Sequence, residues 1–393
     1  MRRFLMAAAA LTMATSAAQA DMKVGVLMGF TGPIESLAPN IAAAAELAMQ
    51  EATESGAFLG GMQVIPARGD STCLDAAAAT ATAERLVTAD QVAAVVGANC
   101  SGVTIAVANN VAVPNGVTMI SPSATSPALT TLADQGYVFR TAPSDARQGK
   151  VLAQVAKARG IESIAVTYTN NDYGKGLADS FSNAFEAAGG SVALSVAHED
   201  SKADYAAEVG ALAASGAEHL AVFGYIDKGG KGIIQASLDA GAFDTFLLAD
   251  GMVGDSLVEA IGEALNGSVA TAPGSDSPNA KKFEEIAAKA GVDGSKPFSG
   301  ESYDAAALII LAAQAAGSTD RAAIQSKILE VSNAPGEQIG PAELARGLSL
   351  LAEGKAIDYQ GATDVELTPE GDASSPYKEY EVMDGEFTTV RVH

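Results

Sequence analysis

Residues 95–127 read VVGANCSGVTIAVANNVAVPNGVTMISPSATSP, and the fold follows from how that stretch is punctuated. Two short apolar runs, Val92–Val96 and Val117–Ile120, have strand character. Each stops abruptly in small polar residues: Asn99-Cys100-Ser101-Gly102 after the first, Ser121-Pro122-Ser123-Ala124-Thr125 after the second. The segment between them, about Val103 to Ala112, suits a helix. The order is therefore strand, polar turn, helix, strand, polar turn. In an open parallel sheet, ligands bind outside the carboxyl ends of the strands. Two neighbouring strand ends with hydroxyls and free backbone N–H groups are the parts of an anion-holding site.

Outward from that stretch the same alternation continues. Before it come a strand at Met22–Met28, a turn at Gly29–Pro33, a helix at Ile41–Ala52 and a strand at Met62–Ala67. A helix over Ala76–Thr88 follows, with Asp75 as its N-cap. After it, a strand at Tyr137–Thr141 completes a β-α-β-α-β-α-β series. That series predicts a parallel sheet with helices on both faces. The pattern then restarts, with helices at Gln148–Ala158, Leu177–Ala188, Tyr205–Ala214, Gly230–Ala240 and Ser256–Ile261. The strands of this second series are Ile164–Tyr168, Ser191–Ala197, His219–Gly224, Thr245–Ala249 and Ser268–Ala272.

Pro273–Asn279 is a linker-like run of Pro, Gly and Ser. Beyond it the chain reads as helical at Asn279–Ala290, Tyr303–Ala316, Arg321–Val331 and Pro341–Glu353. It ends in a hairpin, Tyr380–Met383 and Phe387–Val392 around Asp384-Gly385. The helical extension has no β-α-β series of its own, so it is expected to pack back onto one of the two α/β units.

Composition narrows the function classes. Arg2 and Arg3, the apolar run Phe4–Met13 and Ala18-Gln19-Ala20 have the form of a secretory signal peptide over residues 1–20. No cysteine follows that apolar run, so no lipid anchor is expected, and no later stretch is long enough to span a membrane. Removing the leader takes two arginines and no acid from a chain of net charge −23. So acidic a protein is not expected to bind nucleic acid or an anionic membrane. The two cysteines, Cys73 and Cys100, are expected to form a disulfide in an exported chain; a reactive or metal-binding thiol pair is the alternative. The three histidines, His198, His219 and His393, are too scattered for a histidine triad or a zinc site. Neither a phosphate-binding P-loop nor a Gly-x-Ser-x-Gly nucleophile elbow occurs. What the strand ends carry is Ser, Thr, Tyr and Asp, which are binding groups rather than reactive ones. No cofactor is expected.

Six segments, in order, carry a resemblance: Val26–Pro33 (VLMGFTGP), Val95–Gly102 (VVGANCSG), Ile120–Pro127 (ISPSATSP), Phe139–Ala142 (FRTA), Asn171–Leu177 (NDYGKGL) and Ser302–Ala306 (SYDAA). With them the chain resembles the periplasmic leucine/isoleucine/valine-binding proteins of ABC importers, and nearly all of the mature chain is covered. The resemblance implies the type I periplasmic-binding fold: two Rossmann-like α/β lobes, each a parallel sheet flanked by helices, joined by a multi-strand hinge. It places lobe one at residues 21–142 plus 273–375 and lobe two at 143–272 plus 376–393. It also implies a Cys73–Cys100 disulfide.

The resemblance implies a ligand set as well. Ser101, at a helix N-terminus, takes the carboxylate of an amino acid. The Ser123 backbone carbonyl accepts from the ammonium, and Thr125 serves both groups. Tyr225 reaches the carboxylate, Asp250 faces the ammonium and Tyr173 lines the cleft. The loop Ile34–Asn40 lacks the aromatic residue often found there in the family, leaving Leu37, Ala38 and Pro39 as candidates for the side-chain pocket. The implied function is capture of a branched-chain or other aliphatic amino acid by hinged closure in the periplasm. Delivery to a membrane permease follows, with no chemistry on the ligand and a monomer expected. The alternatives are the same transport role for an amide, urea or an aromatic acid, or a ligand-sensing receptor domain. An exported hydrolase would need a nucleophile–base pair, and none is visible.

Overall fold

In the computed structural model, which describes residues 20–393, the run Met22–Met28 is β1, an interior strand of a five-stranded sheet. Its partners are β2 (Val64–Asp70), β3 (Ala94–Gly97), β4 (Thr118–Ser121) and β5 (Val138–Arg140), in the order β2-β1-β3-β4-β5. All are parallel. Burial on both faces explains why β1, β3 and β4 read as continuous apolar runs rather than alternating ones. Helices α1 (Ala38–Ser55), α2 (Ala76–Thr88) and α3 (Ser101–Val107) make the crossovers. Asp75 caps α2 as expected, accepting from the Ala77 and Ala78 N–H groups at 2.9 and 3.0 Å. The leader expected over residues 1–20 lies outside the described residues except for Ala20.

The second sheet is built from β6 (Ser163–Thr169), β7 (Ser191–His198), β8 (His219–Phe223), β9 (Phe246–Leu248) and β10 (Val269–Pro273). Between these strands run α4 (Asp145–Ala158), α5 (Asp172–Ala187), α6 (Ala206–Ala213), α7 (Gly229–Asp239) and α8 (Asp255–Ile261). The chain then leaves this sheet for α9 (Pro278–Lys289), α10 (Ser299–Ala316), α11 (Arg321–Gln325), α12 (Ile328–Val331), the strand β11 (Glu337–Ile339), α13 (Leu344–Ala352) and the strand β12 (Ile357–Tyr359). It returns as the hairpin β13 (Tyr377–Met383) and β14 (Glu386–Val392), antiparallel to the edge at β10. The second sheet thus has seven strands in the order β14-β13-β10-β9-β8-β6-β7. The two-lobed α/β architecture expected from the sequence is the one present.

The helical extension packs onto the first sheet. Helix α10 is apolar on every side and buried along almost its whole length, as a helix inside a core must be. Its Leu308, Ile309, Ile310 and Leu311 join Ile41, Ala45 and Met49 of α1 in one cluster. Each large aliphatic side chain buried there contributes roughly 1.5–3 kcal/mol.

Several expected bounds shift. The parallel pair β11–β12 lies in stretches between and after the four expected helices of the extension, where no strand is expected from the sequence. The helix read at Arg321–Val331 breaks at Ser326-Lys327, so that Ile324, Ile328 and Val331 all reach the core. Helix α4 starts at Asp145 rather than Gln148 because the Ser144 hydroxyl accepts from the Ala146 N–H. Helix α5 starts at Asp172 rather than Leu177 because the Asn171 side chain accepts from the Gly174 N–H at 3.0 Å. Both early starts bring side chains to the mouth of the cleft.

The chain crosses between the sheets three times, near Pro143, at Pro273-Gly274 and at Ser375-Pro376. These crossings lie side by side: Pro143 pairs with Ala373, and the Gly274 N–H donates to the Pro376 carbonyl at 3.1 Å. Among the described residues no helix is long and apolar enough to cross a membrane.

Candidate functional site

The end of β3 turns sharply at Gly97, whose φ is +127°; a Cβ there would lie 2.2 Å from the Leu27 carbonyl oxygen. Only glycine fits, and the turn delivers Asn99, Cys100 and Ser101 to the carboxyl edge of the sheet. Cys100 is bonded to Cys73, with 5.2 Å between Cα atoms. The expected disulfide therefore holds this turn, and neither thiol is free for metal or redox chemistry. Ser101 is the first residue of α3 and is buried; its hydroxyl oxygen accepts from the Ser126 N–H at 3.1 Å. The Ser123 hydroxyl donates to the Asn99 carbonyl at 3.0 Å, so the two strand-end turns are stitched together. Arg140, 2% exposed, holds the second turn from behind. Its guanidinium donates to the Ser126 carbonyl at 2.9 Å and pairs with Asp372 at 2.7 Å.

The opposite wall comes from the second lobe. Tyr173 and Tyr225 stack with ring centroids 5.3 Å apart. The Tyr173 hydroxyl donates to Asp250 Oδ1 at 2.7 Å and accepts from the Gly251 N–H at 3.2 Å. The Tyr225 hydroxyl accepts from Asn171 Nδ2 at 3.3 Å. Burial pushes the Asp250 carboxyl above its ordinary range, against the pull of the Tyr173 and Gly251 donors.

These groups meet around a single small cavity of about 30 Å³, lined by Ser101, Ser123, Tyr173, Tyr225, Asp250 and Gly251 in its polar part. Ile34, Leu37, Ile41 and Phe298 make its apolar part, and Asn99 and Cys100 complete the wall. Of the six expected ligand residues, five therefore line one space. Thr125 sits behind it: the residue is fully buried, and its carbonyl accepts from the Asp145 N–H at 2.8 Å. Of the three side-chain pocket candidates only Leu37 lines the cavity; Ala38 and Pro39 do not. The aromatic residue that the loop Ile34–Asn40 lacks is supplied instead by Phe298, just before α10.

Sequence reasoning passed over Asp145. It opens α4, is fully buried, and neither carboxylate oxygen has a hydrogen-bond partner. Its carboxyl is pushed well above the usual range, first by burial and then by the charge of Asp250, with Thr125 and Arg140 pulling the other way. Asp250, in the cavity lining, thus interacts with a second carboxylate, Asp145, which is buried outside that lining. Two buried carboxylates that act on each other hold back a proton even with the Arg140 guanidinium pulling on Asp145. A bound cationic group relieves that cost. No lysine or arginine lines the cavity. Among the described residues no group of three or more His, Cys, Asp or Glu side chains could hold a metal.

The lobes touch across the cleft. The Ser126 hydroxyl donates to the Asp172 carbonyl at 2.9 Å, the Ser36 N–H donates to Asp227 at 2.9 Å, and Lys296 pairs with Asp255 at 2.6 Å. Two α/β lobes with side-by-side crossings and a polar cleft at the strand ends define a solute-binding protein of the two-lobed class.

The chain belongs to the periplasmic binding protein family, whose model matches residues 21–341. It is a binding protein rather than an enzyme. It is 31% identical over 321 residues to the Leu/Ile/Val-binding protein homolog 3 of Brucella melitensis biotype 1, a match covering 80% of this chain and 84% of that one. Among solved structures it is similar to a leucine-binding protein of Thermotoga maritima, at a TM-score of 0.76 and 25% identity, covering 94% of this chain and 98% of that one. It also shares its fold with a solute-binding protein of R. palustris in complex with 4-hydroxybenzoate, at a TM-score of 0.76 and 21% identity, covering 95% of this chain and 97% of that one.

Proposed function

We propose that this protein is the periplasmic, monomeric capture component of an ABC importer. Its ligand is an amino acid, branched-chain or otherwise aliphatic, which it passes to a membrane permease. The lobes, divided at residues 142/143, 272/273 and 375/376, close on the ligand about the three crossings. The observation that carries the reading is the charge layout of the cavity. The polar part of the cavity lining joins one carboxylate, Asp250, to the hydroxyl groups of Ser101 and Ser123, with no lysine or arginine in the lining and with Ile34, Leu37 and Ile41 as its aliphatic part; the buried Asp145 interacts with Asp250 from outside the lining.

A zwitterion suits that layout. Its carboxylate is taken by the Ser101 hydroxyl and by Tyr225. Its ammonium goes to Asp250 and the Ser123 carbonyl, with Thr125 supporting both groups and Tyr173 orienting Asp250. Charge-assisted hydrogen bonds of this kind are roughly twice as strong as neutral ones. A simple aromatic acid would leave both aspartates unpaired. The Leu/Ile/Val-binding name of the Brucella relative supports the same ligand class. A ligand touching both lobes stabilises the closed form by its differential affinity.

The test is a thermal-shift screen of protein unfolded and refolded to remove any co-purified ligand, against amino acids, their amides and benzoates. An aliphatic amino acid at a hundredfold excess over Kd is expected to add about 2.7 kcal/mol of stability. Stabilisation by benzoates alone would overturn the reading.

A further inference from the structure

One residue of the cavity lining carries an unpartnered buried polar atom. Asn99 is 4% exposed, lines the cavity wall, and its Nδ2 has no hydrogen-bond partner. Its other side-chain atom is committed: Oδ1 accepts from the Gly29 N–H at 3.0 Å. That bond settles which way the amide points, because the flipped form would set an NH₂ group against a backbone N–H. The backbone on either side is fixed as well, by the Ser123 hydroxyl on the Asn99 carbonyl and by the Cys73–Cys100 bond next door. The side chain is therefore a rigid donor with nothing to donate to.

Its position says which part of a ligand it meets. Gly29, which binds the Asn99 amide oxygen, begins the loop that supplies Ile34 and Leu37 to the same cavity lining as Asn99. A purely hydrocarbon side chain would bury those two N–H bonds against methyl groups. A site with a buried donor rejects a ligand that lacks the matching acceptor much more strongly than it rejects a ligand shorter by one methylene.

We infer that Asn99 determines specificity by donating to an oxygen on the ligand's side chain. The cleft then prefers short amino acids bearing a hydroxyl, ether or carboxamide oxygen over hydrocarbon side chains of equal size. The inference rests on the amino-acid reading of the cleft and narrows it.

The test uses threonine and valine, which differ by a hydroxyl in place of a methyl group. Titration calorimetry on the refolded full chain is expected to show threonine binding about tenfold tighter or more. In Asn99→Leu, which gives up the donor, valine is expected to equal or exceed threonine. Equal affinities in the wild type would overturn the inference, and that comparison stands even if the variant does not fold. An equal loss of both ligands in N99L would also overturn it, because the amide would then be serving the carboxylate that all amino acids share. If no amino acid binds the wild type, the underlying reading fails instead, and the two failures are told apart by that single result.

Discussion

Tyr173 and Asp250 are bound to each other across the floor of the cleft, hydroxyl to carboxylate at 2.7 Å, although they come from different crossovers of the second lobe. The tyrosine also takes the Gly251 N–H, so its hydroxyl is fully used and aims the aspartate. Tyr173→Phe removes that donor and nothing else of the ring. Amino-acid affinity is expected to fall about three- to tenfold, the size of one hydrogen bond to a buried group. The pH at which binding fails is expected to move upward, because a donor that favours the charged carboxylate has gone. Calorimetric titration across pH checks both. An unchanged pH profile would separate Tyr173 from Asp250 energetically.

Buried carboxyls make both stability and binding depend on pH, with opposite signs. Burial raises the Asp250 carboxyl to about 6 in the folded state and, outside the site, raises that of Glu301, buried in α10, to about 7. A carboxyl raised on folding holds its proton more tightly in the native state than in the unfolded one. Stability of the ligand-free protein is therefore greatest at low pH within this window and is lost as pH rises from about 4 through about 7. Binding of an ammonium needs the charged carboxylate, so affinity is expected to weaken below about pH 6, approaching about tenfold per pH unit. Melting curves of the free and bound protein at pH 5.5 and pH 8 check the two signs. A free protein that melts higher at pH 8 contradicts the first.

The Cys73–Cys100 bond closes a loop across a sequence separation of 27. Replacing both cysteines by alanine is expected to cost about 3–4 kcal/mol in the chain-entropy model. Because Cys100 sits between Asn99 and Ser101, affinity is expected to drop as well, through a looser turn rather than a lost contact. Urea unfolding and titration of the double variant measure the two effects. An unchanged unfolding midpoint would mean that the turn is held by its hydrogen bonds alone.

Gly176 faces the other lobe. A Cβ at that position would stand 2.8 Å from Pro127 Cδ and 3.1 Å from the Ser126 hydroxyl oxygen. Gly176→Val should therefore wedge the cleft, while the second lobe itself keeps its packing. Affinity is expected to fall about tenfold or more, on the scale of overpacking a close contact. Small-angle scattering should show a smaller ligand-induced compaction than in the wild type. Normal compaction and affinity would rule out this contact as part of closure.

The parts of the site that could be read from the sequence are those where chemistry and chain neighbourhood coincide. Ser101 and Ser123 lie in the polar turns after continuous apolar runs, and Asp250 closes the run before a turn, so the polar stops mark the strand ends, while the resemblance to the leucine/isoleucine/valine-binding proteins supplied the ligand roles. Asn99 lies in the same stretch, but its importance depends on an amide oriented by Gly29, a partner 70 residues away. Asp145 was hidden by three residues: Ser144 starts the helix earlier than the apolar period suggests. Phe298 has no local signal at all. It reaches the pocket only because α10 packs on α1, and the residue itself sits at a φ of +65°.

The packing of α10 on α1 has a consequence for the order of synthesis. Helix α1 ends at Ser55, and the helix that covers its apolar face begins at Ser299, after every strand of the second sheet except the final hairpin. A chain emerging from its N-terminus thus carries an uncovered first unit until most of its length has been made. The N-terminal α/β segment cut off before α9 should therefore not fold alone, because the apolar face of α1 has nothing to cover it until α10 has been made.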